Sequence, residues 1–193
     1  MLKVSRIAML FGMSLATITL ASPADAQQQR TTPNVATPAL GTADLKSGQN
    51  KKIGTVAFVE TPNGMLIQAR IDAGSGLQPG MHGFHIHENG ACDLADFQSA
   101  GDHFNPANHQ HGLLTPGGAH AGDLPNIWIA GDGSAQADIL TDGVKFGGGA
   151  NSLDKPGGTS VLVHTEPDDY ATNPSGKSGD RVACGVIVKT AAR

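Results

Sequence analysis

An all-β domain, a sandwich or barrel, is the fold class the sequence predicts, and three observations point to it. Short apolar segments recur between turn residues, and 26 glycines and 11 prolines punctuate the 193-residue chain. Aromatic residues make up only 4% of it, and no stretch keeps a helical apolar period. The length fits one domain with a substantial core. The net charge of −4 argues against nucleic acid as a general partner and leaves no basic patch for anionic membranes.

The elements follow in chain order. Lys3 and Arg6 form a positive start, Ile7 to Leu20 an apolar run, and Ala24-Asp25-Ala26 a small-x-small cleavage pattern. Residues 1–26 therefore read as a signal peptide, giving a periplasmic, exported chain with no stable membrane insertion after its removal. A membrane anchor is the alternative, although the run is short for a bilayer span. Residues 27–50, rich in Gln, Thr, Pro and Ala, show no apolar periodicity and read as a flexible leader. The folded domain is expected over residues 51–193.

From there the pattern is β. "IGTVAFVE" alternates imperfectly, "TPNG" supplies a hairpin turn, and "MLIQARID" follows. "HGFHIHE" is strand-like, and "NIWIA", "AQADIL", "TSVLVHT" and "ACGVIVK" complete a set of seven or eight short strands bounded by Gly, Asp or Pro. The two cysteines, Cys92 and Cys184, are expected to pair in an oxidising compartment. Two buried, unpaired thiols are the alternative, and free-thiol titration separates the two.

Three of the eight histidines fall within His82–Glu88. In a strand, alternate side chains share a face, so His85 and His87 point one way and Phe84 and Ile86 the other. Two imidazoles a pleat apart make a metal bite suited to copper or zinc. His82 has the parity of Phe84 and reads as a structural histidine. Downstream, His103, His109, His111, His120 and Asp123 sit among glycines and prolines, in a stretch with little apolar surface to fix its backbone. A metal gripped by His and Asp would fix it. His164 ends the apolar strand "SVLVH", where a buried imidazole needs a partner.

"GFHIHENGAC", "SAGDHFNP", "HG", "GAHAGDLPN", "LVHTEPDDY" and "RVACGVI", in this order, resemble the copper–zinc superoxide dismutases, in particular the bacterial periplasmic type. The resemblance spans about Ile53 to Lys189. It implies a Greek-key β-sandwich or flattened barrel of about eight antiparallel strands, with long metal-binding and electrostatic loops. It also implies that superoxide is dismuted to dioxygen and hydrogen peroxide at a copper held by His85, His87, His103 and His164. Zinc would be held by His103, His111, His120 and Asp123, with His103 bridging the metals and carrying a proton in the catalytic cycle. Asp168 matches the carboxylate that links His85 to His111, Arg181 the arginine that guides and docks the anion, and Cys92–Cys184 the intrasubunit disulfide. Bacterial members occur as monomers or homodimers. His109 is off the family spacing and reads as a surface histidine.

A negative protein must attract an anion by a local field. Arg181 is one cation; Lys177 is either a second or a solvated loop charge. Asp180 stands where the family more often has a small or neutral residue, and it either weakens the field of Arg181 or faces outward. Asn105 to Gly118 holds no lysine or arginine, although bacterial relatives often place a steering lysine nearby. Activity is expected to fall as ionic strength rises. Two other classes are open to a chain with this many histidines. A non-catalytic periplasmic copper/zinc-binding protein would lack copper ligands or carry an extra CxxC module, and neither applies. A zinc hydrolase would need an open zinc position and a general base.

Overall fold

A computed structural model of the protein describes residues 39–190. The signal-peptide expectation for residues 1–26 lies outside the described residues. Among the described residues nine strands run in the order β1 (Gly41–Ser47), β2 (Lys52–Thr61), β3 (Gly64–Ile71), β4 (Gly80–His87), β5 (Asp123–Ile129), β6 (Ala135–Thr141), β7 (Ser160–His164), β8 (Arg181–Val186) and β9 (Val188–Lys189). They pair antiparallel in the spatial order β5-β4-β7-β8-β1-β2-β3-β6, with β9 on β1. The non-sequential neighbours β4–β7 and β3–β6 are Greek-key crossovers. The end strands β5 and β6 are joined by a tight turn and lie together, so the sheet forms a nearly closed barrel. Among the described residues the only helical element is one 3-10 turn, Gln98–Ala100.

β1 corrects the domain boundary. It lies inside the stretch expected to be a flexible leader, yet Ala43 and Leu45 are buried and Gly41 to Leu45 pair with β2. The alternation is faint in the sequence because its inward residues are Gly41, Ala43 and Leu45, and two of these bury little apolar surface. Gly41 is fixed by packing: a Cβ there would run into the Phe146 ring.

β2 and β3 form the hairpin that "TPNG" announces, paired from Gly54↔Ile71 to Thr61↔Gly64. Gly64 supplies a φ of 123° at the turn, and the Thr61 hydroxyl donates to Gly64 O. Phe58, Ile67, Phe84, Ile86, Leu124, Ile129 and Val163 meet in the barrel core. A smaller cluster of Phe97, Ala100, Leu162 and Cys184, with Cys92 against it, lies under the loop that follows β4. There the Cys92–Cys184 disulfide is formed, tying that loop to β8 across 92 residues.

Candidate metal centre

β4 is buried on both faces from His82 to His87. Phe84 and Ile86 enter the core, while His85 and His87 occupy the opposite face, as strand parity requires. His82 joins no donor group. Its ring lies 2.6 Å from His164 O and 2.8 Å from Gln78 O, which makes it a brace between segments. The long loop then returns to β4. Phe104 N–H donates to Ile86 O, Ile86 N–H donates to Gly122 O, and His103 bridges to His87. Gly122 permits this close approach, because a Cβ there would overlap Ile86 O. His103 and Asp123 are thus carried to the end of β4 by backbone pairing.

Two groups of four buried donors result. One is His85, His87, His103 and His164; the other is His103, His111, His120 and Asp123. Within each group the donor atoms lie within 4.8 Å of one another, and His103 belongs to both. Its ring centroid is 4.1 Å from that of His85 and 5.2 Å from that of His111. His109 belongs to neither group: its Nδ1 is 3.2 Å from Ala119 O, and Asn105 clasps its backbone.

The hydrogen bonds fix which ring nitrogens are free. A carbonyl can only accept, so His87 Nδ1–H donates to Gly101 O at 2.9 Å and His164 Nδ1–H to Gly179 O at 3.3 Å. The two Nε2 atoms then face each other at 3.4 Å as two lone pairs. That contact repels unless a cation lies between them. His85 Nε2–H and His111 Nε2–H donate to the two oxygens of Asp168, at 2.8 and 3.0 Å. This leaves His85 Nδ1, His103 Nε2, His111 Nδ1 and His120 Nδ1 buried without a hydrogen-bond partner. His111 Nδ1 and His120 Nδ1 come within 3.0 and 3.3 Å of Asp123 oxygens but are not aligned to donate to them. Buried polar atoms are rarely orphaned, and here four ring nitrogens are orphaned together within the two donor groups. Imidazoles suit copper, and three imidazoles with one carboxylate suit zinc, so the residues present fit both ions.

Electrostatics divides the two groups. Burial lowers His103 to about 4, only partly offset by Asp123. Burial, with His85 adding to it, lowers His164 to about 3. His87 is likewise pushed well down by burial and by His103. These three rings are neutral donors at pH 7. Burial would also lower His111, but Asp123 and Asp168 outweigh it and raise that ring to about 9. Burial works against ionised Asp123 and Asp168 too; their histidine partners outweigh it and hold both below the usual carboxylate range.

Several supporting groups show their part only in the folded structure. Gly101 O accepts from both His87 and the Arg181 guanidinium, at 2.9 and 2.6 Å, and Phe97 O accepts from Arg181 at 2.8 Å. Asn126 holds the Asp168 backbone from both sides, and Tyr170 OH accepts from Asn126 N–H at 2.8 Å. Asn173 Oδ1 accepts from His111 N–H. Backbone carbonyls carry no residue identity, and although Asn126 and Asp168 each fall in a motif, 42 residues separate them and nothing in either motif pairs the two.

The comparisons agree with this geometry. The family description "Copper/zinc superoxide dismutase (SODC)" matches residues 52–187. Superoxide dismutase [Cu-Zn] 1 of Aquifex aeolicus is 45% identical over 147 residues, covering 75% of this chain and 85% of its own. The superoxide dismutase [Cu-Zn] of Caulobacter vibrioides is 45% identical over 149 residues, covering 76% and 84%. The solved structure of the Cu/Zn superoxide dismutase from Brucella abortus superposes with a TM-score of 0.61 at 32% identity, covering 76% of this chain and 98% of that one. With a barrel that gathers two donor groups around one shared histidine, the chain belongs to the copper/zinc superoxide dismutase family.

Proposed function

We propose that the protein dismutes superoxide in the periplasm at a binuclear centre, with copper on His85, His87, His103 and His164 and zinc on His103, His111, His120 and Asp123. The observation that carries this reading is the shared ring of His103 between two groups of buried donors whose free nitrogens have no other partner. Copper bound there would supply the redox chemistry, taking an electron from one superoxide to give dioxygen and returning it to the next, which with two protons leaves as hydrogen peroxide. His103 Nε2 is the atom on the copper side that can hold and deliver one of those protons. Asp168 keeps His85 and His111 protonated on Nε2, so each presents Nδ1 to its metal. Arg181, fixed by Phe97 O and Gly101 O at the cleft above the copper group, docks the anion.

Export is supported by the charged start, apolar run and cleavage pattern of residues 1–26 and by the Cys92–Cys184 disulfide. Substitution separates the shared histidine from its neighbour. His103→Ala is expected to lower both copper and zinc content and to abolish dismutation, whereas His109→Ala leaves both near wild type. Equal metal loss in the two variants, measured by elemental analysis, would refute the assignment.

A further inference from the structure

Seven of the eight histidines are buried, and His109 alone is exposed. It borders two cavities. One is the cleft above His87, His103 and His164; the other, of about 350 Å³, is bordered by His120 and Asp123. His120 borders both cavities too, and at 8% it is the most exposed of the donors His103, His111, His120 and Asp123, whereas His111 is fully buried. The second cavity also meets the exposed Asp142 and has no lysine or arginine among its described lining residues, so its charge suits a cation. The His109 ring is held in place. Asn105 Nδ2 donates to His109 O and Asn105 Oδ1 accepts from His109 N–H, both at 2.9 Å. The ring lies on Gly118, where a Cβ would overlap it. Its Nδ1 is 3.2 Å from Ala119 O, and a carbonyl only accepts, so Nδ1 carries the proton and Nε2 the lone pair. That Nε2 has no hydrogen-bond partner among the described residues.

We propose that His109 is an entry ligand for zinc, taking the hydrated ion from solvent on Nε2 and passing it to His120 and Asp123. This rests on the zinc assignment above. Neutral imidazole and carboxylate both bind zinc, and each replaces one of its waters with no change of oxidation state. His109 Nε2 replaces the first; His120 Nδ1 and an Asp123 oxygen replace others as His109 lets go. His109 lies outside the final donor set, so it acts on the barrier and not on the bound state. Such a group changes uptake and release by one common factor and leaves their ratio, the affinity, unaltered. A loss of about 1.4 kcal/mol at the barrier slows each direction about ten-fold.

The test compares the wild type with His109→Ala, His109→Gln and Gln110→Ala. Gln110 is exposed and borders neither cavity, and a glutamine at 109 can still donate to Ala119 O but has no ring nitrogen. Uptake is followed by stopped flow as the metal-free full chain withdraws zinc from a weak coloured indicator. Release is followed as the zinc-loaded chain gives up its ion to an excess of a strong chromophoric chelator. Both His109 variants should take up and release zinc about ten-fold more slowly than wild type, with the dissociation constant and the final zinc content unchanged. Gln110→Ala should follow wild type. Unchanged rates in His109→Ala overturn the proposal, and so do faster rates in both directions, which would make the ring a barrier. Wild-type rates in His109→Gln would assign the effect to packing, and a changed dissociation constant would make His109 part of the bound site; either result overturns it as well. His120→Ala separates the underlying reading: zinc held by that variant as tightly as by wild type refutes the zinc assignment, and the entry role of His109 falls with it.

Discussion

Asp168 is the residue through which the two donor groups support each other, with one oxygen on His85 and the other on His111. Its surroundings allow no larger neighbour: a Cβ on Gly176 would overlap Asp168 Oδ1 and lie 2.8 Å from His111 Nε2. Gly176 also has a φ of 65°, in the left-handed region. Gly176→Ala should therefore weaken zinc binding about 10- to 100-fold, as lost outer hydrogen bonds to metal ligands typically do. Competition with a chromophoric chelator checks this, and an unchanged affinity would show that Asp168 does not orient His111. The raised value of His111 gives a second test. Without metal it carries a proton up to about pH 9 and stabilises the fold fully below about 6.5, a contribution lost as pH rises through 9. Zinc bound as proposed would displace that proton, so calorimetry in buffers of different ionisation enthalpy should show about one proton released at pH 7 and less above pH 9. At this scale strand parity already distinguished His82 from His85 and His87. The roles of Gly176, Gly101 O and Gly179 O were not legible in the sequence, because their contribution lies in backbone shape and carbonyl position.

Among the elements, β1 and the loop after β4 decide whether the site is held. β1 stands between β2 and β8/β9, so without it the sheet order is broken beside the strand that carries Arg181 and Cys184. Leu45 is fully buried at its centre. Leu45→Ala should cost roughly 2–5 kcal/mol, read from chemical denaturation; a loss under about 1 kcal/mol would mean β1 is dispensable. The leader expectation missed this strand because Gly41 and Ala43 supply its inward pattern without apolar bulk. The disulfide acts on the loop. By chain entropy, a closed loop of 92 residues stabilises by roughly 4–5 kcal/mol. It also anchors the segment whose Phe97 and Gly101 carbonyls hold Arg181. The strands of "IGTVAFVE", "MLIQARID" and "TSVLVHT" were legible because their apolar residues are large.

For the whole molecule, the barrel serves as a rigid platform and the chemistry sits on what it carries. The donor side chains come from β4, from the long loop after it, from the start of β5 and from the end of β7, and only the folded sheet brings these four sources together. The residues of the two donor groups were legible through the order of several motifs. The charge balance of the cleft was not, because Glu88, Asp102 and Asp180 become neighbours only in three dimensions. The most direct test of the central claim is the rate of superoxide decay for the wild-type protein with copper and zinc measured on the same sample. One copper and one zinc per chain, with catalytic superoxide consumption that is lost when copper is withdrawn, is the predicted result. A protein that holds both metals and leaves the spontaneous decay of superoxide unchanged would contradict it.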